Sequence, residues 1–196
     1  MYSILVDITK CTGCEKFVDV CIDVNNLDKN KADYDRAISK DGLSENRFLS
    51  IIGLNNGKFA RKSCMHCVEP SCVSACLVRG ITKTKEGPVV YDPNKCIGCR
   101  YCMLSCPFHI PRYEWNTTKP FIKKCNMCYD KLQEGKTPKC VEVCPNNALI
   151  FGERKLLIEK AEQIIKDNKP KYKEHIWGKD EFGGTSILYV SDVNLD

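Results

Sequence analysis

The spacing of the cysteines constrains this chain more than any other feature of its sequence. Fifteen cysteines occur among 196 residues, in four groups separated by cysteine-free stretches, and each group opens with Cys-x-x-Cys. The groups are Cys11, Cys14 and Cys21; Cys64, Cys67, Cys72 and Cys76; Cys96, Cys99, Cys102 and Cys106; and Cys125, Cys128, Cys140 and Cys144. A secreted disulfide scaffold favours an even number of cysteines in a short chain, so this pattern indicates metal ligands instead.

The third group indicates which metal is bound. From Cys96 to Cys106 the spacing is C-x2-C-x2-C-x3-C, and Pro107 follows, as in the complete cysteine run of bacterial ferredoxins. In that run three cysteines bind one cubane cluster, and the fourth binds a neighbouring cluster. Zinc ribbons also use paired Cys-x-x-Cys motifs, but they need neither the third cysteine nor the trailing Cys-Pro. Iron–sulfur clusters are therefore favoured over zinc and over disulfides.

The first group lacks one ligand of this run. A cysteine is expected between Cys14 and Cys21 at position 17, and Phe17 stands there instead. Four clusters with four cysteines each need one thiolate more than the 15 that the chain has. Phenylalanine has no donor atom, so a [3Fe–4S] cluster is the favoured interpretation. The alternatives are a [4Fe–4S] cluster with a foreign ligand such as Glu15, Asp19 or hydroxide, and loss of the cluster.

The sequence carries no pattern typical of an enzyme active site. It has no phosphate-binding loop, no dinucleotide-binding glycine fingerprint and no nucleophile elbow. His66 and His109 lie beside cysteine groups and are expected at the surface or in hydrogen bonds to a cluster. The basic residues behind the net charge of +5 are scattered without interleaved aromatic residues, which argues against a nucleic-acid partner. We therefore predict a non-catalytic protein.

Signals for targeting or membrane insertion are missing from the sequence. The opening residues have no basic region, and their apolar run stops at Asp7, unlike that of a signal peptide. Nowhere do 18 consecutive apolar residues occur, so no direct membrane span is expected. The prediction is a soluble chain, cytoplasmic or attached to a membrane through partner subunits, with export together with a partner left open.

Repeated short motifs predict an α+β fold with an internal duplication. A Cys-Val-x-x-Cys turn followed by a short apolar strand occurs at residues 72–81 and again, 68 residues later, at 140–150. Residues 154–166 have apolar side chains at helical spacing, and residues 185–190 are typical of a strand. The cysteine-free insertion between the first two groups is polar up to Asp41 and strand-like from Arg47, and is expected to form a surface loop or hairpin.

With these motifs together, the chain resembles the four-cluster iron–sulfur subunits of the dimethyl-sulfoxide-reductase, formate-dehydrogenase and periplasmic-hydrogenase type. The resemblance covers nearly the whole chain and rests on the cysteine motifs of residues 64–76, 96–115 and 124–145 and on the ending GGTSILYV at 183–190. Two positions depart from the family pattern, because Phe17 replaces a ligand of the first cluster and Leu77 replaces the usual proline after the second group.

The resemblance implies how the cysteines are shared among four clusters, which spacing alone does not fix. The implied ligands are Cys11, Cys14 and Cys144 for cluster 1; Cys21, Cys125, Cys128 and Cys140 for cluster 2; Cys64, Cys67, Cys72 and Cys106 for cluster 3; and Cys76, Cys96, Cys99 and Cys102 for cluster 4. The cofactors expected from it are three [4Fe–4S] clusters and one [3Fe–4S] or non-cysteine-ligated [4Fe–4S] cluster.

The resemblance also implies an architecture and a role. Residues 1–24 and 121–153 form one bacterial-ferredoxin-like dicluster module and residues 60–120 the other. Residues 25–59 form the insertion, and residues 154–196 add a closing helix and strand. The role is that of an electron-transfer subunit between a catalytic partner, a molybdopterin enzyme or a hydrogenase, and a membrane quinone- or haem-binding partner. The alternative is a free-standing polyferredoxin that acts as a diffusible electron carrier.

Overall fold

The computed structural model describes residues 1–54, 57–115, 117–118 and 121–195. The helices in that part are α1 Lys16–Val24, α2 Lys29–Ile38, α3 Ser71–Ser74, α4 Tyr101–Leu104, α5 Tyr129–Gln133, α6 Lys139–Glu142 and α7 Arg154–Asp167. The strands are β1 Tyr2–Asp7, β2 Ser50–Gly53, β3 Phe59–Lys62, β4 Ile81–Lys83, β5 Val89–Tyr91, β6 Arg112–Tyr113, β7 Ile122–Lys123, β8 Leu149–Glu153 and β9 Ile187–Val190.

A three-stranded sheet joins the two ends of the chain. Strand β1 lies in its centre, antiparallel to β8 and parallel to β9. Side chains alternate between the two faces of a strand. Leu5 and Leu188 therefore pack with Leu157 of α7 on one face, whereas Ile4 and Val6 pack toward the cysteine groups on the other. The C-terminal helix that the sequence predicts thus covers one face of the sheet, and the predicted C-terminal strand joins the sheet as β9.

Three two-stranded ladders lie beside the cysteine groups. Strand β2 pairs with β3, β4 with β5 and β6 with β7, all antiparallel. Each ladder is short, and cysteines stand in the loops and short helices beside the strands. This mixture of small sheets and short helices is the α+β architecture that the sequence predicts.

The insertion is more ordered and more buried than expected. Its polar first part forms helix α2, which begins after the N-cap Asp28, whose carboxylate accepts a hydrogen bond from the Lys31 backbone N–H at 3.1 Å. Its second part supplies the hairpin strand β2, while Leu43, Phe48 and Leu49 are buried in the same core as the cysteines. The helix escapes prediction because its sequence, KNKADYDRAI, has almost no apolar stripe.

Two predicted positions cannot be compared with the structure. The module boundary after residue 120 and the final residue, 196, lie outside the described residues. Within the described ranges, no helix combines the length and the apolar character that are needed to cross a bilayer.

Candidate metal centres

The four Cys-x-x-Cys loops share one backbone conformation. The residue before the second cysteine is left-handed in every loop, with φ of 70° at Gly13, 47° at His66, 73° at Gly98 and 58° at Met127. The turn directs a backbone N–H at the first sulfur: Gly98 N lies 3.4 Å from Cys96 Sγ, and Met127 N lies 3.3 Å from Cys125 Sγ. Left-handed residues other than glycine are strained and concentrate at functional sites.

Gly98 also lacks a side chain because there is no space for one. A Cβ at this position would lie 2.5 Å from the hydroxyl oxygen of Tyr113, closer than any real contact. The Tyr113 hydroxyl donates a hydrogen bond to the Gly98 carbonyl at 3.0 Å, which fixes the loop. The glycine is therefore required twice, for its φ and for the close approach of an aromatic ring.

The trailing cysteines repeat a second conformation. The Gly80 backbone N–H donates to Cys76 Sγ at 3.1 Å, and the Ala148 N–H donates to Cys144 Sγ at 3.3 Å. The second pair lies 68 residues after the first, which is the offset of the sequence repeat. Arg79 and Asn147, also 68 residues apart, are both left-handed. The shared geometry agrees with an internal duplication, and the N–H groups stabilise a negatively charged sulfur.

The structure brings together the same cysteines that the resemblance groups. One cavity is lined by the first set, Cys11, Cys14 and Cys144, another by the second set, Cys21, Cys125, Cys128 and Cys140, and another by the fourth set, Cys76, Cys96, Cys99 and Cys102. The third set, Cys64, Cys67, Cys72 and Cys106, is close enough for its thiols to affect one another: burial and then Cys64 and Cys106 raise the pKa of Cys67 to about 11.

Strand pairing accounts for two of these sets. Strand β1 leads toward Cys11 and β8 follows Cys144, so the pairing of Val6 with Leu149 brings both cysteines to one end of the sheet. In the same way β4 follows Cys76 and β5 leads toward Cys96, and Ile81 pairs with Tyr91. Cysteines far apart in sequence therefore meet because short strands beside them pair.

The sulfurs surround cavities and do not converge on a point. Among the residues that the structure describes, no three or more histidine, cysteine, aspartate or glutamate side chains lie close enough together to hold a single metal ion. A tetrahedral zinc site needs four donors at about 2.0–2.3 Å from one ion. The arrangement fits a polynuclear cluster, whose several irons are each bound by a different cysteine.

Buried cations give a second indication of what the cysteines hold. Arg61 and Lys124 are buried and Lys83 is partly buried, yet none of the three forms an ion pair within the described ranges. Lys124 Nζ donates to the Cys125 carbonyl at 3.0 Å, and Lys83 Nζ donates to the Cys67 carbonyl at 2.7 Å. A buried charge without a counter-charge is strongly unfavourable. Anionic iron–sulfur clusters held by the neighbouring cysteines would supply that counter-charge.

In the sequence these three cations are part of a scattered set of basic residues. The signal that could have singled them out is their position beside the cysteine groups. Arg61 stands three residues before Cys64, and Lys124 immediately precedes Cys125. Whether a lysine is exposed or buried beside a ligand depends on strand pairing, which the cysteine spacing does not reveal.

The histidines behave differently from one another. His66 is fully buried, and its Nδ1 accepts a hydrogen bond from the Val89 N–H at 2.9 Å, so the ring proton is on Nε2. Burial, followed by the charges of Lys124 and Lys83, holds the pKa of His66 well below its ordinary value. Its Nε2 has no acceptor among the described residues, which fits donation to a cluster. His109 is exposed.

Phe17 occupies the structural position of a cluster ligand. In the first loop a left-handed Glu15 precedes α1, and Phe17 is the second residue of that helix. In the third loop a left-handed Arg100 precedes α4, and Cys102 is the second residue there. The Phe17 side chain is 5 % exposed and lines the cavity of the first set. The ring thus replaces a thiol in otherwise equivalent geometry.

The two acidic residues near Phe17 are engaged elsewhere. Glu15 forms ion pairs with Arg36 at 2.6 Å and with Arg47 at 3.2 Å, one through each carboxylate oxygen. The side chain of Asp19 is 62 % exposed and lies 3.8 Å from Lys29. Among the described residues that line the first cavity there is no carboxylate and no imidazole. Neither expected side-chain alternative therefore lines this cavity.

An exposed apolar surface surrounds the fourth set. Each of its five members is at least half exposed, and three are direct sequence neighbours of a ligand of that set. We call it the apolar rim; its members are Leu77, Ile97, Tyr101, Leu104 and Trp115. Arg100 stacks over the Trp115 ring at 4.5 Å. Large apolar side chains concentrated at one exposed place mark an interaction surface.

Comparison with known proteins adds relatives to this geometry. A model of the 4Fe-4S dicluster domain matches residues 56–154. The chain is 41 % identical to a protein of Nitratidesulfovibrio vulgaris, over 98 % of the chain and 54 % of that relative, so it spans about half of the relative's length. It is 36 % identical to the hydrogenase-2 operon protein HybA of Escherichia coli O157:H7, over 98 % of the chain and 71 % of HybA. It is 32 % identical to the iron–sulfur subunit of nitrate-inducible formate dehydrogenase of Escherichia coli K12, over 95 % of the chain and 66 % of that subunit.

Proposed function

The chain belongs to the 4Fe-4S dicluster family, and from that membership we propose that it is an electron-transfer subunit of a multi-subunit respiratory oxidoreductase. In this role it catalyses no reaction itself and passes single electrons between a catalytic subunit and a membrane quinone- or haem-binding subunit. Relatives named as subunits of formate dehydrogenase and dimethyl sulfoxide reductase support the role. The observation that carries it is the row of four cysteine sets.

The row follows from contacts between neighbouring sets. Arg61 lines the cavities of both the first and the second set. Cys125 of the second set is close enough to Cys64 of the third for that thiol to contribute to its raised pKa, although burial is the larger cause. Helices α3 and α4, which carry ligands of the third and fourth sets, pack together. Consecutive sets are therefore neighbours from the first to the fourth.

Each set is proposed to hold one cluster, with the ligands that the family resemblance assigns. When bound, iron–sulfur clusters accept and release single electrons, at potentials set by ligands, hydrogen bonds to sulfur and burial. The chain supplies the thiolates, the backbone N–H groups that point at them and the buried cations beside them. Burial raises the pKa of Cys125 to about 12, so iron binding must displace a thiol proton there.

The first set is proposed to hold a [3Fe–4S] cluster. Three cysteines line its cavity, Phe17 fills the fourth position, and the carboxylates of Glu15 and Asp19 are paired with cations outside it. A [4Fe–4S] cluster here needs hydroxide or another small ligand on its fourth iron. The buried aromatic ring replaces the fourth thiol, and no carboxylate or imidazole of the described residues lines this cavity, which favours the three-iron form.

The two ends of the row are proposed to meet different partners. By family resemblance the first cluster faces the catalytic subunit, a molybdopterin enzyme or a hydrogenase. The fourth cluster lies under the apolar rim, and we assign that rim to the membrane quinone- or haem-binding subunit. A diffusible carrier is the less favoured role, because a large apolar patch at the electron-exchange site promotes permanent association.

The rim provides the test of the proposed function. The tagged chain is purified from detergent-solubilised membranes of its host, and molybdenum or nickel, haem and quinone are measured per chain. Wild type is expected to retain a metal-bearing catalytic subunit and the haem or quinone partner. Leu104→Glu, at a position 81 % exposed, is expected to lose the second partner while keeping iron and the first.

A matched control uses the same substitution elsewhere. Leu156 is 57 % exposed on α7, away from the cysteine sets, and Leu156→Glu should retain both partners. A wild-type chain that loads iron but purifies without molybdenum, nickel, haem or quinone would contradict the subunit role and favour the diffusible carrier. Equal losses in both variants would contradict the assignment of the rim.

A further inference from the structure

We propose that the guanidinium of Arg61 lies between the first and second cysteine sets and that its positive charge raises the reduction potentials of the two clusters held there. The inference rests on the proposed function, since it requires clusters in both cavities. It assigns a specific role to one side chain that the cysteine pattern and the family match leave without one.

The location of Arg61 follows from strand pairing. The residue lies on β3, opposite Ile51 of β2, and is 2 % exposed. Its neighbour along the strand, Lys62, lies on the opposite face and reaches Asp41 at 2.9 Å. The two adjacent cations therefore have opposite surroundings, because one pairs with a carboxylate near the surface and the other is buried.

The two cysteine cavities that Arg61 lines contain sulfur and aromatic groups, and no carboxylate of the described residues lines either of them. Its neighbours there include Phe17, Cys11 and Cys144 on one side and Cys125 and Cys140 on the other. Arg61 also lines a third cavity, which it shares with Glu181. No salt bridge to Arg61 occurs in the described part of the chain, and its Nε and Nη1 are buried there without a hydrogen-bond acceptor.

The protein maintains this arrangement from the backbone. The Tyr189 hydroxyl donates to the Arg61 carbonyl at 2.9 Å and ties β3 to the central sheet. An arginine cannot lose its proton in a protein, so burial does not neutralise it. An unpaired buried cation is strongly unfavourable unless anions lie beside it. Two anionic clusters, one on each side, satisfy that requirement.

The sign of the effect on potential follows from charge. An oxidised four-thiolate cubane carries a net charge of about −2, and the electron it accepts makes it about −3. A fixed positive charge stabilises the reduced form more than the oxidised form, and the interior screens this attraction less than water does. Removal of the charge should therefore make both neighbouring clusters harder to reduce. No proton moves in the step, because the guanidinium stays charged.

The experiment is a redox titration of the loaded complex, followed by electron paramagnetic resonance, with wild type, Arg61→Gln, Arg61→Lys and Lys62→Gln. Arg61→Gln is expected to lower the reduction equilibrium constants of two of the four clusters by tenfold or more, which is about 59 mV for a one-electron couple. The other two clusters should move by less than threefold. Lys62→Gln removes an equal charge one residue away and should move none.

The conservative variant separates charge from packing. Arg61→Lys keeps the charge and is expected to keep the reduction equilibrium constants of both clusters within threefold of wild type. If Arg61→Gln fails to load iron, this variant decides. Loading with unchanged potentials supports the proposal, and loading with the reduction equilibrium constants of both clusters lowered tenfold overturns it.

Failure of the inference differs from failure of the proposed function. Four titrating clusters in wild type, with none or all of them shifted equally in Arg61→Gln, overturn the role of Arg61 and leave the subunit role intact. A wild-type chain without clusters in these two cavities overturns both.

Discussion

Replacement of Phe17 by cysteine should convert the first cluster from three irons to four. The side chain at this position lines the cavity of Cys11, Cys14 and Cys144 and follows the same loop conformation as the ligand Cys102. A thiol there provides the missing donor without any change of backbone. The iron content should rise by about one per chain, from about 15 to about 16.

The substitution also changes the stability of the protein, and the change depends on whether iron is bound. Phe17 is 95 % buried, and loss of a buried phenylalanine typically destabilises a protein by about 3–5 kcal/mol. Cysteine retains part of the volume, and a new iron–sulfur bond offsets the rest once the cluster is loaded. The iron-loaded variant should therefore have a free energy of unfolding close to that of iron-loaded wild type. The iron-free variant should be less stable than iron-free wild type.

The assay combines iron analysis with electron paramagnetic resonance of anaerobically purified, oxidised protein. Wild type should show the nearly isotropic S = ½ signal of a [3Fe–4S] cluster, and Phe17→Cys should lose it. Val18→Cys is the matched control, because Val18 is buried on the same helix but does not line the first cavity. About 16 irons and no such signal in wild type would refute the reasoning about Phe17.

Three further predictions concern stability and assembly. Leu157→Ala on α7 should lower the free energy of unfolding by about 2–5 kcal/mol, measured by urea denaturation, whereas Leu156→Ala at an exposed position should have almost no effect. Burial raises the pKa of Asp41, but the hydrogen bonds from Lys62 and the Leu43 N–H and the charge of Arg112 outweigh it and lower the pKa to about 2. Since an unfolded aspartate titrates near pH 3.9, this stabilisation is complete above about pH 4 and is lost toward pH 2. Asp41→Asn should therefore be about 1 kcal/mol less stable than wild type at pH 7, with a difference that shrinks below pH 4; an undiminished difference at pH 3 would contradict the ion-pair explanation. Removal of iron should leave Arg61 and Lys124 buried without anions, so amide hydrogen exchange should become faster around the cysteine sets first, while the sheet of β1, β8 and β9 stays protected longest.

The ligand chemistry could be predicted because it depends on local spacing. The run from Cys96 to Cys106 specifies iron–sulfur chemistry in eleven residues, and the missing cysteine at Phe17 is visible by alignment of one loop with another. The left-handed turns at Gly13 and Gly98 follow from the same loops. These features are encoded within single motifs and need no knowledge of tertiary contacts.

The features that escaped prediction depend on contacts between distant segments. Arg61 and Lys62 are adjacent cations, and the sequence does not show that their surroundings differ. Strand pairing buries Arg61 beside the cysteines and places Lys62 next to Asp41. Helix α2 has a polar sequence without the apolar periodicity that identifies a helix. Its stability comes from its N-cap and from attachment of the insertion to the core. The left-handed His66 and Met127 lack the glycine that marks such turns.

The central claim, that the cysteines hold a row of iron–sulfur clusters, is tested most directly by the metal and sulfide content of the anaerobically purified chain. The account predicts about 15 irons and about 16 acid-labile sulfides per chain, because a [3Fe–4S] cluster has one iron fewer than a [4Fe–4S] cluster but the same number of sulfides. About four zinc ions per chain, with neither iron nor sulfide, would contradict it.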